Sequence, residues 1–159
     1  MILGSGGAGK TRLALSLAER KGLPVVHLDP LFWRPNWQPA PIEEARAAVA
    51  AAVEEPRWIM DGNFLGLGLD DPRFRRADTV VFLDVPRLRC IWRIVSRRVR
   101  DRGRRRVDLP EGCAEGLELE FVRWVWRYPQ DNRPRVLELL AQLESRGVHV
   151  RHVRGRDEL

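Results

Sequence analysis

Lysine is almost missing from this chain. Of its 28 basic residues only Lys10 and Lys21 are lysines, and the rest are arginines. Ammonium and guanidinium groups do different work, so a lysine kept against that bias points to a task at its position. Cysteine is scarce too. Cys90 and Cys113 have neither CxxC spacing nor a partner cluster. That excludes a disulfide framework and a cysteine zinc site, and predicts two thiols in a reducing cytoplasm. No apolar run approaches the roughly 18 residues of a membrane span, so no membrane partner is expected. Repeats and low-complexity tracts are absent as well.

What is present describes one globular domain. The chain has 159 residues, 44% of them hydrophobic and 31% charged. That is enough to bury a sizeable core, and a single domain over 1–159 is the expectation. The net charge of +6 is not spread evenly. Residues 87–106 hold ten arginines against one acid, Asp101, so the remainder of the chain is slightly acidic. Such an Arg-rich element calls for phosphate, whether of a nucleotide or of a nucleic acid.

The strongest motif is Gly4-Ser5-Gly6-Gly7-Ala8-Gly9-Lys10-Thr11, which meets G-x-x-x-x-G-K-[ST] at every fixed position. It follows the apolar stretch Met1-Ile2-Leu3 and opens a helical pattern over Thr11–Lys21. In that strand–loop–helix setting the backbone N–H groups turn inward on an anion, and the helix N-terminus adds partial positive charge. Gly4, Gly6, Gly7, Ala8 and Gly9 would line the anion. Lys10 would reach the β- and γ-phosphates, and Thr11 would hold Mg²⁺. The loop begins within four residues of Met1, so no signal peptide is expected.

Strand and helix patterns alternate from there. Strands are predicted at residues 1–3, 24–28, 58–60, 79–85 and 148–153. Helices are predicted at 11–21, from Pro41, from Pro86, over 117–128 and from Pro134, with loop or short helix at 64–77. In the helix from Pro86, Leu88, Ile91, Trp92, Val95 and Val99 read as the buried stripe, and Arg89, Arg93, Arg97 and Arg100 as a second stripe. The predicted architecture is three-layer α/β/α, a P-loop NTPase fold around a parallel sheet of about five strands. Ligands in such sheets sit at the carboxyl ends of the strands.

Several chemically capable residues fall at those ends. Asp61 and Asp84 each close an apolar strand and compete for the role of organising Mg²⁺. Asp29 follows His27-Leu28 and suits an acceptor hydroxyl. His27 itself reads as a packed histidine. Trp33 and Trp37 flank Arg34 in a Pro-rich loop, where rings stack and a guanidinium grips phosphate. At least two of Arg93, Arg97 and Arg98 are expected on ligand phosphate. Residues 101–116 suit a short Arg-rich flap over the nucleotide.

Ala77-Asp78-Thr79-Val80-Val81-Phe82-Leu83-Asp84-Val85-Pro86, then Arg93-Ile94-Val95-Ser96-Arg97-Arg98-Val99, resembles the core strand and lid-leading helix of adenylate kinases. Asp61-Gly62-Asn63 stands where those enzymes carry Asp-Gly-Phe-Pro-Arg. With His27-Leu28-Asp29, Trp33-Arg34-Pro35, Trp37, Asn63-Phe64 and Glu120-Phe121-Val122-Arg123-Trp124-Val125-Trp126, the chain is similar over most of its length to the adenylate-kinase-like P-loop proteins known as DNA topology modulation proteins. The resemblance implies a nucleoside-monophosphate-kinase-like fold with a short lid, ATP and Mg²⁺ as cofactors, and Arg93 and Arg97 as phosphate-binding arginines. The chain departs from adenylate kinases in lacking Pro-Arg after Asn63, a full lid and zinc-binding cysteines.

The expected activity is transfer of the ATP γ-phosphate to a small acceptor, such as a nucleoside monophosphate. Lys10, Asp29, Asp61, Arg93 and Arg97 would form the catalytic set. Asp29, Trp33, Arg34, Asn63 and Arg123 would meet the acceptor, and Arg98 the nucleotide. The alternative is a nucleotide-dependent, nucleic-acid-binding regulatory protein, supported by the Arg-rich segment but lacking a recognition module.

Overall fold

The computed structural model describes residues 1–64, 71–100 and 119–154. The flap expected at 101–116 lies outside the described residues. Five parallel strands form the central sheet. They are β1 (Ile2–Gly4), β2 (Val25–His27), β5 (Ile59–Asp61), β6 (Thr79–Leu83) and β7 (His149–Val153), in the order β2-β5-β1-β6-β7. Their register sets the working edge: His27 pairs with Asp61, and Gly4 with Leu83.

Helices α1 (Lys10–Lys21), α3 (Ile42–Ala52), α5 (Arg87–Arg100), α6 (Leu119–Asp131) and α7 (Arg133–Ser145) flank the sheet. Short helices α2 (Asp29–Phe32) and α4 (Pro72–Arg76) follow β2 and β5. The Pro- and Trp-rich segment, expected to be loop, folds into a small antiparallel pair, β3 (Trp33–Arg34) and β4 (Gln38–Pro39). No helix of the described residues is long and apolar enough to cross a membrane.

The α/β alternation follows from periodicity. Helix α1 ends where Gly22 takes φ +62° and its N–H bonds back to Ala18 O, a left-handed C-cap. Ala45, Val49 and Val53 fall on one face of α3 and are buried. Val136, Leu139, Leu140 and Leu143 of α7 pack on Leu3, Val80 and Phe82 of the sheet.

Helix α5 corrects the sequence reading. Leu88, Trp92, Val95 and Val99, expected in the core, are exposed at 68%, 68%, 41% and 73%. The buried line is Cys90 and Ile94, supported by Ile91. The reason is the glycine-rich loop after β1, which lies against α5. A Cβ on Gly7 would come within 2.4 Å of the Cys90 carbonyl oxygen. Cys90 and Ile94 must therefore face the loop. At 100° per residue, that turns the Leu88–Val99 line outward.

Candidate functional site

The loop that leaves β1 is built around backbone approach. Gly7 (φ +75°) sits where any side chain would strike α5. Ala8 N–H donates to Ser5 O at 3.1 Å, closing the first turn. Lys10 Nζ donates to Ser5 O at 3.2 Å, so the ammonium lies folded over its own loop. Arg93 Nη1 donates to Ala8 O at 2.9 Å and to Gly7 O at 3.4 Å. The guanidinium thus holds the loop's carbonyl oxygens. Ser5 is 4% exposed, and its hydroxyl has no hydrogen-bond partner. Buried hydroxyls are normally satisfied, so an orphan within the loop fits a site shaped for an oxygen-rich guest.

Arg97 lies one turn beyond Arg93 on the same helix face. Arg98 does not share that line, being turned about 140° from Arg93. Cys90 lies beneath the loop with its Sγ 3.6 Å from Val85 O, and burial pushes its thiol up.

The carboxylates separate sharply. Asp61 is buried, and its Oδ2 lies 3.0 Å from His27 Nδ1. His27 is more than a packed histidine: the parallel register that pairs it with Asp61 makes it that carboxylate's partner. Asp84 sits in a denser cage. Arg133 Nε donates to both its oxygens at 3.0 Å, and Arg133 Nη2 to Oδ2 at 2.8 Å. His152 Nε2 lies 2.8 Å from Oδ2. Burial disfavours the charged form of Asp84, but these hydrogen bonds outweigh it and hold the carboxyl below its ordinary range. An Asp84 so occupied organises α7 and β7, and a metal would have to displace a bidentate arginine to use it.

Asn63 is a junction. Its Oδ1 accepts from Gly4 N–H and from Tyr128 O–H, both at 3.3 Å. It therefore ties the start of the glycine-rich loop to α6. Tyr128 is buried, and burial pushes its phenol up, so it stays a donor. The turn at Asn63 is fixed from both sides. Gly62 (φ +145°) leaves no room for a Cβ, which would come 2.6 Å from Leu28 Cβ. Arg73, fully buried against Asp71, donates to Phe64 O. Phe64 in turn stacks on Phe32 at 3.6 Å.

The proposed acceptor residues fare unevenly. Asp29 is exposed at the start of α2 rather than at a strand end. Trp33 and Trp37 pack edge to face, 6.0 Å apart. Arg34 is half exposed and ion-paired with Glu44 of α3. Arg123 is not at the site. It lies on the side of α6 away from Val125 and Tyr128, in a shallow groove with Trp126, Arg127 and Gln130. Arg133, His152, Tyr128 and Phe121 carry contacts that the sequence reading missed. Only strand register and helix phase, which no motif encodes, could have placed them.

No protein-family model matches the chain, and no curated protein matches it.

Proposed function

We propose that this protein is an ATP-dependent phosphotransferase acting on a small acceptor. The observation that carries the reading is the loop itself. Its carbonyls are tied outward to Arg93, its buried Ser5 hydroxyl is unsatisfied, and its one lysine is folded over it. A loop with carbonyls held from behind leaves N–H groups for phosphate. The donor phosphates would lie in this loop, with Lys10 unfolding from Ser5 O onto them.

Mg²⁺ would be held by the Thr11 hydroxyl at the start of α1 and the Asp61 carboxylate at the end of β5, both hard oxygen donors of the kind that ion takes. When bound, it would neutralise charge on the transferring group. Arg93 positions the loop and Arg97 adds positive charge beside it. For a hydroxyl acceptor, the new oxygen–phosphorus bond forms as the bond to the β-phosphate oxygen breaks. The hydroxyl proton passes to Asp29, which is exposed to receive it. Lys10→Ala is expected to abolish transfer in a screen of acceptors with Mg-ATP, while circular dichroism stays native. Undiminished transfer by that variant refutes the reading.

A second reading has one observation in its favour. Helix α5 carries six arginines and no acid along its 14 residues, and Arg87 lies over the Trp126 ring at 4.0 Å. A basic face with an aromatic ring suits nucleic acid. Its signature is duplex binding that weakens steeply with salt. A gel shift across salt, with and without ATP, tests it; no shift at low salt eliminates it.

A further inference from the structure

Helix α6 carries Phe121, Trp124 and Tyr128 along one face, at spacings of three and four residues. The three rings form a ladder. Phe121 and Trp124 are nearly parallel, 12° apart with centroids at 6.1 Å. Trp124 meets Tyr128 edge to face at 5.3 Å. The lower end is anchored through Tyr128 O–H to Asn63. The upper end touches the phosphate loop: a Cβ on Gly6 would lie 2.6 Å from Phe121 Cζ. The ladder thus runs from the loop to the end of β5.

Its burial is uneven in a telling way. Val125 and Tyr128, on the same face, are buried. Phe121, against the loop at Gly6, and Trp124, against Phe121, stay 36% and 37% exposed. Two large rings are therefore left partly open next to the place where phosphate would bind. Among its described residues, α6 itself adds no charge to this face. Arg123 lines the groove on the far side of α6, and Arg127 is held there by Asp131. At the foot of the ladder, Asn63 accepts through its carbonyl oxygen from Gly4 N–H and Tyr128 O–H.

We propose that the Phe121–Trp124 face of α6 is a stacking platform for a planar, uncharged, hydroxyl-bearing ring compound, the phosphoryl acceptor. The proposal rests on the phosphotransferase reading. The α6 wall favours a ring face and adds no counter-charge of its own, while Lys10 and Arg93 stand at the loop, where the donor phosphates would lie. The donor's own base is the less suitable occupant. It is separated from the loop-bound phosphates by a ribose, whereas Phe121 touches the loop itself.

Direct binding tests this without catalysis. The probes are adenosine, AMP, ribose and ATP, titrated by calorimetry into wild type, Trp124→Ala, Trp124→Phe and Lys10→Ala. Expected are adenosine binding in the absence of ATP, a loss of tenfold or more in Trp124→Ala, and recovery to within threefold in Trp124→Phe. Lys10→Ala should bind adenosine as wild type does but lose ATP, and ribose should not bind. The platform is overturned if adenosine does not bind, or if Trp124→Ala binds it like wild type. It is equally overturned if Trp124→Ala loses ATP to the same degree. AMP binding tenfold tighter than adenosine would overturn the uncharged-ring assignment. A single-stranded oligonucleotide binding far more tightly than adenosine, through Trp124, would replace the small acceptor with nucleic acid. If adenosine binds as expected but no acceptor in the Mg-ATP screen is phosphorylated, the phosphotransferase reading fails and the platform stands as a ring-binding site.

Discussion

Arg133→Ala separates a structural Asp84 from a metal-binding one. The Asp84 side chain is 15% exposed and the Arg133 side chain 33%. Removing Arg133 deletes two donor atoms from a carboxylate that is mostly out of water, leaving only His152 beside it. Hydrogen bonds to charged groups contribute about 1.5–3 kcal/mol each, and breaking a fully buried pair costs about 3–5 kcal/mol. This pair keeps some solvent, so about 2 kcal/mol is the reasoned cost. For a domain of this size, that lowers Tm by roughly 4–8 °C.

The pH dependence has a definite sign. The folded state holds the Asp84 carboxyl below its ordinary value. The unfolded chain therefore takes up the proton first as pH falls, and this stabilisation is complete above about pH 4 and lost on acidification through the folded value. Thermal melts between pH 3 and pH 7 should show wild type and Arg133→Ala converging at the acid end and separating near neutrality. Asp84→Asn combined with Arg133→Ala closes a double-mutant cycle that isolates the pair. A Tm unchanged within 1 °C at pH 7 would refute the reasoning. So would a variant of native stability with a selectively raised Mg²⁺ requirement, which would return Asp84 to the metal.

Arg93→Ala removes the brace on the Gly7 and Ala8 carbonyls, and should weaken ATP binding tenfold or more in calorimetry while shifting Tm by only a few degrees. Arg93→Lys, with a single donor head in place of the planar fork, should recover only part of it. Trp92→Ser should change stability by no more than about 0.5 kcal/mol in urea melts, as an exposed site does, whereas a true core tryptophan would cost several times more.

The sequence was legible wherever chemistry is local. The glycine loop, the helix it opens and the Gly22 stop are each set by a few adjacent residues, and they lie where the pattern puts them. The five strands were legible because each is short and bounded by turn residues, and β1 and β6 are mostly apolar. Helix phase was not. In α5, Cys90, Ile91 and Ile94 compete with Leu88, Trp92, Val95 and Val99 for the core, and the second set is the larger and more apolar. The smaller set is inside because the loop backbone must approach Cys90. That constraint comes from a contact more than eighty residues away along the chain. No local periodicity carries it.

The two carboxylates that looked equivalent are divided by strand order. In β2-β5-β1-β6-β7, the loop-bearing β1 has Asp61 on one side and Asp84 on the other. On the Asp61 side stand His27, the exposed Asp29 and the Asn63 junction. On the Asp84 side stand Arg133 and His152, both already spent on that carboxylate. A reaction at the loop needs a carboxylate whose partner can share it, next to groups that face an acceptor. Asp61 answers to both, because an imidazole offers Asp61 a single contact where Arg133 and His152 between them engage both oxygens of Asp84. Strand order thus turns an ambiguity between two similar strand ends into an asymmetry: β5 and β2 form the side where an acceptor would arrive, and β6 and β7 form the side that holds the sheet together.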